Sequence, residues 1–578
     1  MKSNFTFHIL PSTLVVFLTV ALRQHVVALP LYTDSRWIVN EDGNRVKLAC
    51  VNWPSHLDSV LAEGLSKKPV DVISKKIYSM GFNCVRFTWP VDLASNESLA
   101  SMTVENSFKS VGLHDSIPGI KSNNLDFLNL TLIQAFQEVV RNLGDNKLLV
   151  ILDNHISKPG WCCHGDDGNG FFGDKHFDTQ LWIKGLAHMA TMFKGAKYVI
   201  GLSLRNELRG SRQNVKDWYR YMQQGAEAVH KANSDVLVIF SGLKYDTDFG
   251  FLREKPLNVS FNRKIVFEGH WYSFFDGNRW EKKNANDFCG RFLNIIDQKF
   301  GFLLQKGYPF FLSEFGVDQR GGNVRDYRHF NCMLGLLVDY DLDWALWSLQ
   351  GSYYKKEGMF DAEEIYGMLN SDWSEVRNSS FLQRIRAFQP LLQGPGVLTK
   401  PNYTKIIHLS TGFCIQDTMR LGSCAGNHTW IYTVDKNIRL GSTDLCLHAI
   451  GLGLPLMLVN VCSNSSSNSI WEPISKSKMH FSSRLNNGQR VCMDVNQTGG
   501  IVSNPCKCLE KDHNCDPLSQ WFRMTSGCMH HPSVESNHIL FTVTECLICL
   551  IGLIMLLLTV KYCITRRKVI NVFSAQAR

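Results

Sequence analysis

The sequence predicts an α/β fold, a closed (β/α)8 TIM barrel, followed by an all-β β-trefoil domain and a C-terminal transmembrane helix. Three observations carry this reading. Eight short apolar runs alternate with segments of helical period between residues 47 and 349. Three units of roughly forty residues then repeat a cysteine-to-tryptophan pattern. Last, Ile539 to Val560 is almost wholly apolar and close to the ~20 residues that span a bilayer. The layout is a signal peptide (1–28), a barrel (29–395), a trefoil (400–530), a membrane span (539–560) and a short basic cytoplasmic tail (561–578).

Phe5 to Ala28 is apolar behind Lys2, with Val26-Val27-Ala28 as its cleavage site, as in a secretory signal peptide. Sequons at Asn96, Asn129, Asn258, Asn378, Asn402, Asn427, Asn464 and Asn496 agree with that route. Trp37 to Val46 reads as a small hairpin turning at Asp42-Gly43-Asn44. The strands after it are Lys47 to Trp53, Phe82 to Thr88, Lys147 to Asp153, Tyr198 to Leu204, Val236 to Ser241, Ile265 to Glu268, Pro309 to Ser313 and Trp344 to Leu349. Helical segments lie between them: Val70 to Met80, Leu132 to Asn142, Leu181 to Phe193, Val215 to Lys231, Phe292 to Lys306 and Val324 to Tyr340. Eight such alternations fit a closed parallel barrel. An open doubly wound sheet would require a glycine-rich phosphate loop after an early strand, and the sequence has none.

Polar residues stand where these runs end: Asn52, Arg86, Asp153-Asn154-His155, Asn206-Glu207, His270 with Tyr272, Glu314 and Trp347. In a barrel all strand exits open onto one face. Two of the runs, Tyr198 to Glu207 and Tyr308 to Gly316, each deliver a glutamate at their exit. A carboxylate at the end of a buried strand is costly outside a polar cleft. Two carboxylates facing each other across a sugar ring are what glycosidic bond cleavage requires, one as acid and one on the other side of the ring. Arg86 would keep the second ionised, Asn206 would bind a sugar 2-hydroxyl, and Trp347 offers a flat apolar face. His155, His270 and Tyr272 would orient the carboxylates and bind hydroxyls. No cofactor is needed.

These residues, in this order, resemble glycoside hydrolase family 5, the cellulase family of retaining barrel enzymes. The resemblance covers about Trp37 to Pro390 and rests on Arg86 in Val-Arg-Phe, His155 in Leu-Asp-Asn-His, Asn206-Glu207, His270-Trp-Tyr272, Glu314 in Ser-Glu-Phe-Gly, and Trp347. It implies Glu207 as acid/base and Glu314 as nucleophile. The stretch Asn154 to Cys163 resembles a plant branch of that family. Trp53, Trp89, Trp161 and Trp271 are either outer sugar contacts or packing. One or both of the adjacent Cys162 and Cys163 are expected to bridge to Cys50, Cys84, Cys289 or Cys332, with no metal role.

From Tyr403 to Met524 the chain is rich in Ser, Asn, Gly and Cys. Cys414 leads to Trp430, Cys446 to Trp471 and Cys492 to Trp521, which suggests a three-fold trefoil with each tryptophan in a shared core. This resembles a ricin B-type lectin domain. The resemblance implies disulfides Cys414–Cys424 and Cys446–Cys462, with Cys492 bonded to Cys506 or Cys508. It also implies a second sugar ligand, held best by Asp494, less well by Asp417, while His448 replaces the aspartate of the middle unit. The competing reading is a trefoil kept for stability.

Net charge is a modest +9, with Lys561, Arg566, Arg567 and Lys568 clustered behind the membrane span. That cluster marks the cytoplasmic side of a type I single-pass protein at the cell surface or outside the cell. No basic stripe interleaves with aromatics, which excludes nucleic acid as partner. The expectation is a carbohydrate hydrolase of the retaining class acting on β-glucan or mannan. An inactive carbohydrate-binding surface protein and a transglycosidase are the alternatives.

Overall fold

The structure, a computed structural model, describes residues 30–397, 404–426, 428–460, 462, 467–510 and 515–525. The expected signal peptide, membrane span and basic tail lie outside these. Among the described residues no helix is long and apolar enough to cross a membrane.

Eight parallel strands close into a barrel, each hydrogen-bonded to its sequence neighbours and the last to the first. They are β1 (Ala49–Trp53), β2 (Cys84–Pro90), β3 (Leu149–Ile156), β4 (Val199–Ser203), β5 (Leu237–Phe240), β6 (Ile265–His270), β7 (Phe310–Phe315) and β8 (Asp343–Leu346). Every residue of these strands is buried, as expected when helices cover the outside and side chains fill the inside. Among the described residues, the helices of eight residues or more are α1 (Val70–Ser79), α2 (Leu132–Asp145), α3 (Thr179–Met192), α4 (Val215–Ala232), α5 (Ala285–Ile296), α6 (Val324–Tyr340) and α7 (Ser379–Arg386). Only a short 3-10 turn, Gly250–Arg253, stands between β5 and β6. α5 starts at Ala285, earlier than the expected helix from Phe292, because Asn284 caps it by accepting the Asp287 N–H.

Strand alternation sets what faces inward. Cys50, Cys84, Ile151, Val266, Phe311 and Ala345 pack together inside the barrel. Two residues further along each strand, the period-2 repeat brings Asn52, Arg86, Asp153, Glu268, Ser313 and Trp347 to the same side. The apolar layer thus gives way to a polar one at the carboxyl ends. Glu314 would face outward under this alternation. Both neighbours of β7 shift register around Ser313, so a bulge there supplies one extra residue and turns Glu314 inward.

The expected hairpin is present: Val39 bridges Arg45, the Val46 N–H donates to the Ile38 carbonyl at 2.9 Å and the Asn40 N–H to the Asn44 carbonyl at 2.9 Å, while Trp37–Val39 also pairs with the preceding Tyr32–Asp34. One expectation fails here. The other four cysteines of the barrel region bond among themselves, Cys50–Cys84 and Cys289–Cys332, leaving Cys162 bonded to Cys163. The reason is placement: Cys50 and Cys84 are register partners on β1 and β2, and Cys289 and Cys332 lie on α5 and α6 with Cα atoms 5.8 Å apart.

The C-terminal region is all-β, in three four-stranded antiparallel sheets. The first joins Ile406–His408, Phe413–Ile415 and Leu421–Gly422 to the last strand, Phe522–Met524. Disulfides Cys414–Cys424, Cys446–Cys462 and Cys492–Cys506 close the repeats, and Cys508 bonds Cys515. Trp430 and Trp471 fill the shared core, donating to the carbonyls of Ile415 and Leu447. Trp521 does not join them. Phe522 takes the core position, and Trp521 turns toward the barrel, its indole donating to Asn286 Oδ1 at 2.8 Å.

Barrel and sheets belong to one compact unit that ends at Thr525. Asn286 also accepts from Ser477 Oγ at 3.0 Å and donates to the Cys508 carbonyl at 3.1 Å. Arg523 pairs with Asp339 of α6. Gly290 of α5 is required by close approach, since a Cβ there would lie 2.5 Å from the Lys476 carbonyl oxygen. Trp521→Ala should therefore cost about 3–5 kcal/mol. Calorimetry should show barrel and sheets still melting in one transition; two separated transitions in the wild type would contradict a joint core.

Candidate active site

The polar layer meets at the carboxyl ends of the strands, around Arg86. Its guanidinium is fully buried. It donates to Asn52 Oδ1 at 3.0 Å, Asn206 Oδ1 at 3.0 Å and Glu314 Oε1 at 2.8 Å. Asp153 lies 3.0 Å from it and Glu268 3.4 Å. Burial opposes the charge, and these carboxylates outweigh it, so the Arg86 pKa is raised.

Glu314 also accepts a hydrogen bond from the Tyr272 hydroxyl at 2.9 Å. Glu207 has different neighbours. Its Oε1 lies 3.0 Å from His270 Nδ1, which is also 3.7 Å from Glu314 Oε2. One oxygen of each glutamate and a nitrogen of His270 all fall within 4.8 Å of one another. Glu207 sits in left-handed backbone, φ 45°, which costs a non-glycine residue about 1–3 kcal/mol. Asp246 holds it there by accepting its N–H at 3.0 Å, and Arg209 donates to its carbonyl at 2.8 Å.

Burial pushes both glutamates up to about 7; Arg209 and Arg86 pull Glu207 back, while His270 and Arg86 pull Glu314 back. The surroundings separate the two. A guanidinium and a phenol hydroxyl donate to Glu314, which favours its charge. Glu207 faces an imidazole whose own pKa is lowered by burial. A proton shared by the pair therefore rests on Glu207, and the pair titrates as one system.

His155 is held neutral by burial and by Arg86. Its Nδ1 lies 2.6 Å from Asp153 Oδ2, so Nε2 is left as an acceptor facing the Asn206 amide nitrogen at 3.5 Å. The Asn206 oxygen is taken by Arg86, which fixes the amide with its nitrogen toward His155 and the cysteine pair. Cys163 and Cys162 sulfurs approach the same nitrogen at 3.5 and 3.8 Å. The ring of Trp347, half-buried, stacks on His155 with centroids 5.6 Å apart.

All eight barrel residues expected from the sequence converge here. Asp494 does not. It is buried in the C-terminal sheets, where Asn504, Gln520 and Lys507 occupy its Oδ2 at 3.0–3.1 Å. Trp53, Trp89 and Trp271 are buried packing, and only Trp161 stays half-exposed. Sequence reasoning misses Asp246, Glu268 and His56. Glu268 is legible as a charge inside an apolar run. Asp246 comes after a loop with no recognisable pattern, and His56 reaches the site by stacking on His155 at 4.0 Å. Among the described residues two sets have a spacing that could hold a cation: in His155, Cys162 and Cys163 the sulfurs are bonded to each other, and in Glu207, His270 and Glu314 Arg86 already neutralises Glu314 from 2.8 Å.

The sequence pattern of the cellulase family, glycosyl hydrolase family 5, matches residues 39–352. A glycosyl hydrolase 5 family protein of Chamaecyparis obtusa is 41% identical over 534 residues, covering 89% of this chain and 95% of its own. The chain belongs to glycosyl hydrolase family 5. It is accordingly an O-glycosyl hydrolase. The major extracellular endoglucanase of Xanthomonas campestris pv. campestris is 24% identical over 370 residues, 60% of this chain and 68% of that one. Among solved structures, the hyperthermophilic endocellulase of Pyrococcus horikoshii superposes with a TM-score of 0.51 at 19% identity, covering 63% of this chain and 99% of its own. At that identity the likeness is one of fold. This family 5 chain carries its sequence similarity to the Chamaecyparis protein beyond the barrel and into the C-terminal region.

Tyr272→Phe tests the polarisation of the pair. Losing a hydrogen bond to a charged group is worth about 1.5–3 kcal/mol, and raises the Glu314 pKa by about 1–2 units. The acidic limb of kcat/KM should move to higher pH while the alkaline limb stays. An unmoved acidic limb would show that Tyr272 does not hold the charge.

Proposed function

We propose that this enzyme is a retaining β-glycosidase of β-glucan- or mannan-type cell-wall carbohydrate, with Glu314 as nucleophile and Glu207 as acid/base. The observation that carries the proposal is the spacing of the pair with its unequal partners. Oxygens within 4.8 Å suit the ~5–5.5 Å carboxyl separation of retaining enzymes, not the 6.5–9.5 Å of inverting ones. Glu314, charged beside Arg86 and Tyr272, attacks the anomeric carbon. As that bond forms, the bond to the leaving oxygen breaks and takes the proton of Glu207. The resulting glycosyl ester is opened by water, whose proton returns to Glu207 and whose oxygen displaces Glu314.

Asn206 offers an N–H to the sugar 2-hydroxyl, a contact that tightens as positive charge develops on the ring. Trp347 supplies an apolar face for the pyranose. The endoglucanase names of the more distant relatives favour a β-glucan. A second sugar on the C-terminal sheets is not part of the proposal, because Asp494 is committed to internal partners. Seven disulfides among the described residues favour an oxidising, secretory location. A membrane anchor at 539–560 would hold the enzyme at the cell surface.

Kinetics of two variants test the roles. Glu314→Gln should abolish turnover of an aryl β-glycoside while leaving the fold intact by circular dichroism. Glu207→Ala should lose about 10²–10⁴-fold on an oligosaccharide, whose leaving group needs a proton. On a dinitrophenyl glycoside its kcat/KM should stay near wild type and lose the alkaline limb. Equal losses on both substrates would reject Glu207 as the acid.

A further inference from the structure

The cleft above the barrel is walled on one half and open on the other. After β8 the chain forms an antiparallel hairpin, Ser352–Lys356 with Met359–Glu363. The hairpin is tied to the loops after β1, β2 and β3. After β1, the buried Glu63 accepts the Tyr354 N–H at 2.7 Å, and the Tyr354 hydroxyl accepts the Leu65 N–H at 2.7 Å. After β2, Phe108 meets the Tyr354 ring edge-on at 4.9 Å, and Lys355 Nζ donates to the Val111 carbonyl at 3.4 Å. After β3, His164 Nε2 lies 3.1 Å from Glu357, and the Lys356 ammonium sits 3.9 Å from the centre of the Trp161 ring.

Exposed pairs of this kind contribute little one by one. The buried Glu63–Tyr354 contact is what fixes the hairpin's base. The wall also begins at the site itself. Between Trp161 and His164, which hold the hairpin, stand Cys162 and Cys163, whose sulfurs touch the Asn206 amide.

Among the described residues, the segments after β5 and β6 on the opposite half form no such hairpin. Phe274 and Phe275 are 48% and 36% exposed there. Phe274 stacks parallel on Tyr272 at 4.9 Å, and Phe275 faces Tyr245 at 6.3 Å. An apolar track thus runs outward from the residue that touches Glu314. Exposed phenyl rings gain when the C–H face of a sugar or an aryl group covers them.

We propose that the 352–363 hairpin closes the glycone end of the cleft, so that the enzyme attacks a β-linked chain from its non-reducing end. This rests on Glu207 being the acid and Glu314 the nucleophile. A sugar lying on Trp347 of the β8 exit, beside His155 and Asn206, has the wall beyond it. Its leaving group passes Glu207 and departs over Phe274 and Phe275. The half-exposed Trp161 serves the wall through Lys356, not a run of further glycone sugars.

The test digests cellohexaose and mannohexaose labelled at the reducing end, with the aryl β-glucoside and β-mannoside as references. The expected result is stepwise shortening of the labelled chain and release of short unlabelled sugars only. Viscosity of carboxymethylcellulose and galactomannan should fall little per reducing end formed. Replacing residues 356–360 by Asn-Gly should raise that viscosity loss several-fold. The double variant Lys356→Ala/Glu357→Ala should move it the same way by less. Both are to be read on protein with wild-type circular dichroism. Mixed labelled fragments at the earliest times, or no change in either variant, would overturn the proposal while leaving the glycosidase reading in place. Failure of the wild type on the aryl glycosides as well would overturn both.

Discussion

The structure depends on one buried guanidinium. Arg86 is reached from β1 by Asn52, from β3 by Asp153, from the segment just after β4 by Asn206, from β6 by Glu268 and from β7 by Glu314. With β2, its own strand, it ties six of the eight barrel strands at their carboxyl ends. A charge taken fully out of water costs several kcal/mol unless its donors and its charge are matched. The ring around Arg86 supplies acceptors for both terminal nitrogens and carboxylates for the charge, while Nε faces Glu268 at 3.4 Å without a hydrogen bond. It also fixes side chains that would otherwise choose among rotamers, so that the interaction that makes the burial tolerable also orients the site.

The electrostatic consequence is an unequal pair. Glu207 and Glu314 feel similar burial, and burial alone would treat them alike. Arg86 and Tyr272 break the symmetry on one side. On the other, Asp246 holds the Glu207 backbone in a conformation few glutamates adopt. The Asn206 amide is set by the same guanidinium, with its oxygen toward Arg86 and its nitrogen toward His155. Orientation, protonation and position thus have a common source.

The barrel is legible because its strands are buried on both faces and therefore read as continuous apolar runs with polar ends. That signal places all eight, with ends displaced by a few residues. The hidden features depend on the third dimension. The bulge at Ser313 that turns Glu314 inward leaves no trace in a run such as Phe-Phe-Leu-Ser-Glu. The bond between Cys162 and Cys163 cannot be told in the sequence from bridges to the other barrel cysteines, because partner choice is set by Cα placement. Trp521 reads as core because it repeats the position of Trp430 and Trp471. Its neighbour Phe522 fills the core equally well, which frees the indole to bind Asn286 on the barrel.

The hairpin after β8 and the 157–178 loop show how one barrel face is shaped by the segments beyond its strands. The polar layer is built by strand alternation, whereas the walls are built by loops whose contacts the sequence does not announce. The central claim, however, concerns the pair of glutamates that Arg86 polarises. Its most direct test is to incubate the enzyme with an activated 2-deoxy-2-fluoro β-glycoside, digest it, and locate the added sugar by mass spectrometry. The account predicts one modified peptide, with the sugar esterified to Glu314. A sugar carried by Glu207 instead, or turnover of oligosaccharide with no covalent adduct at either residue, would contradict it.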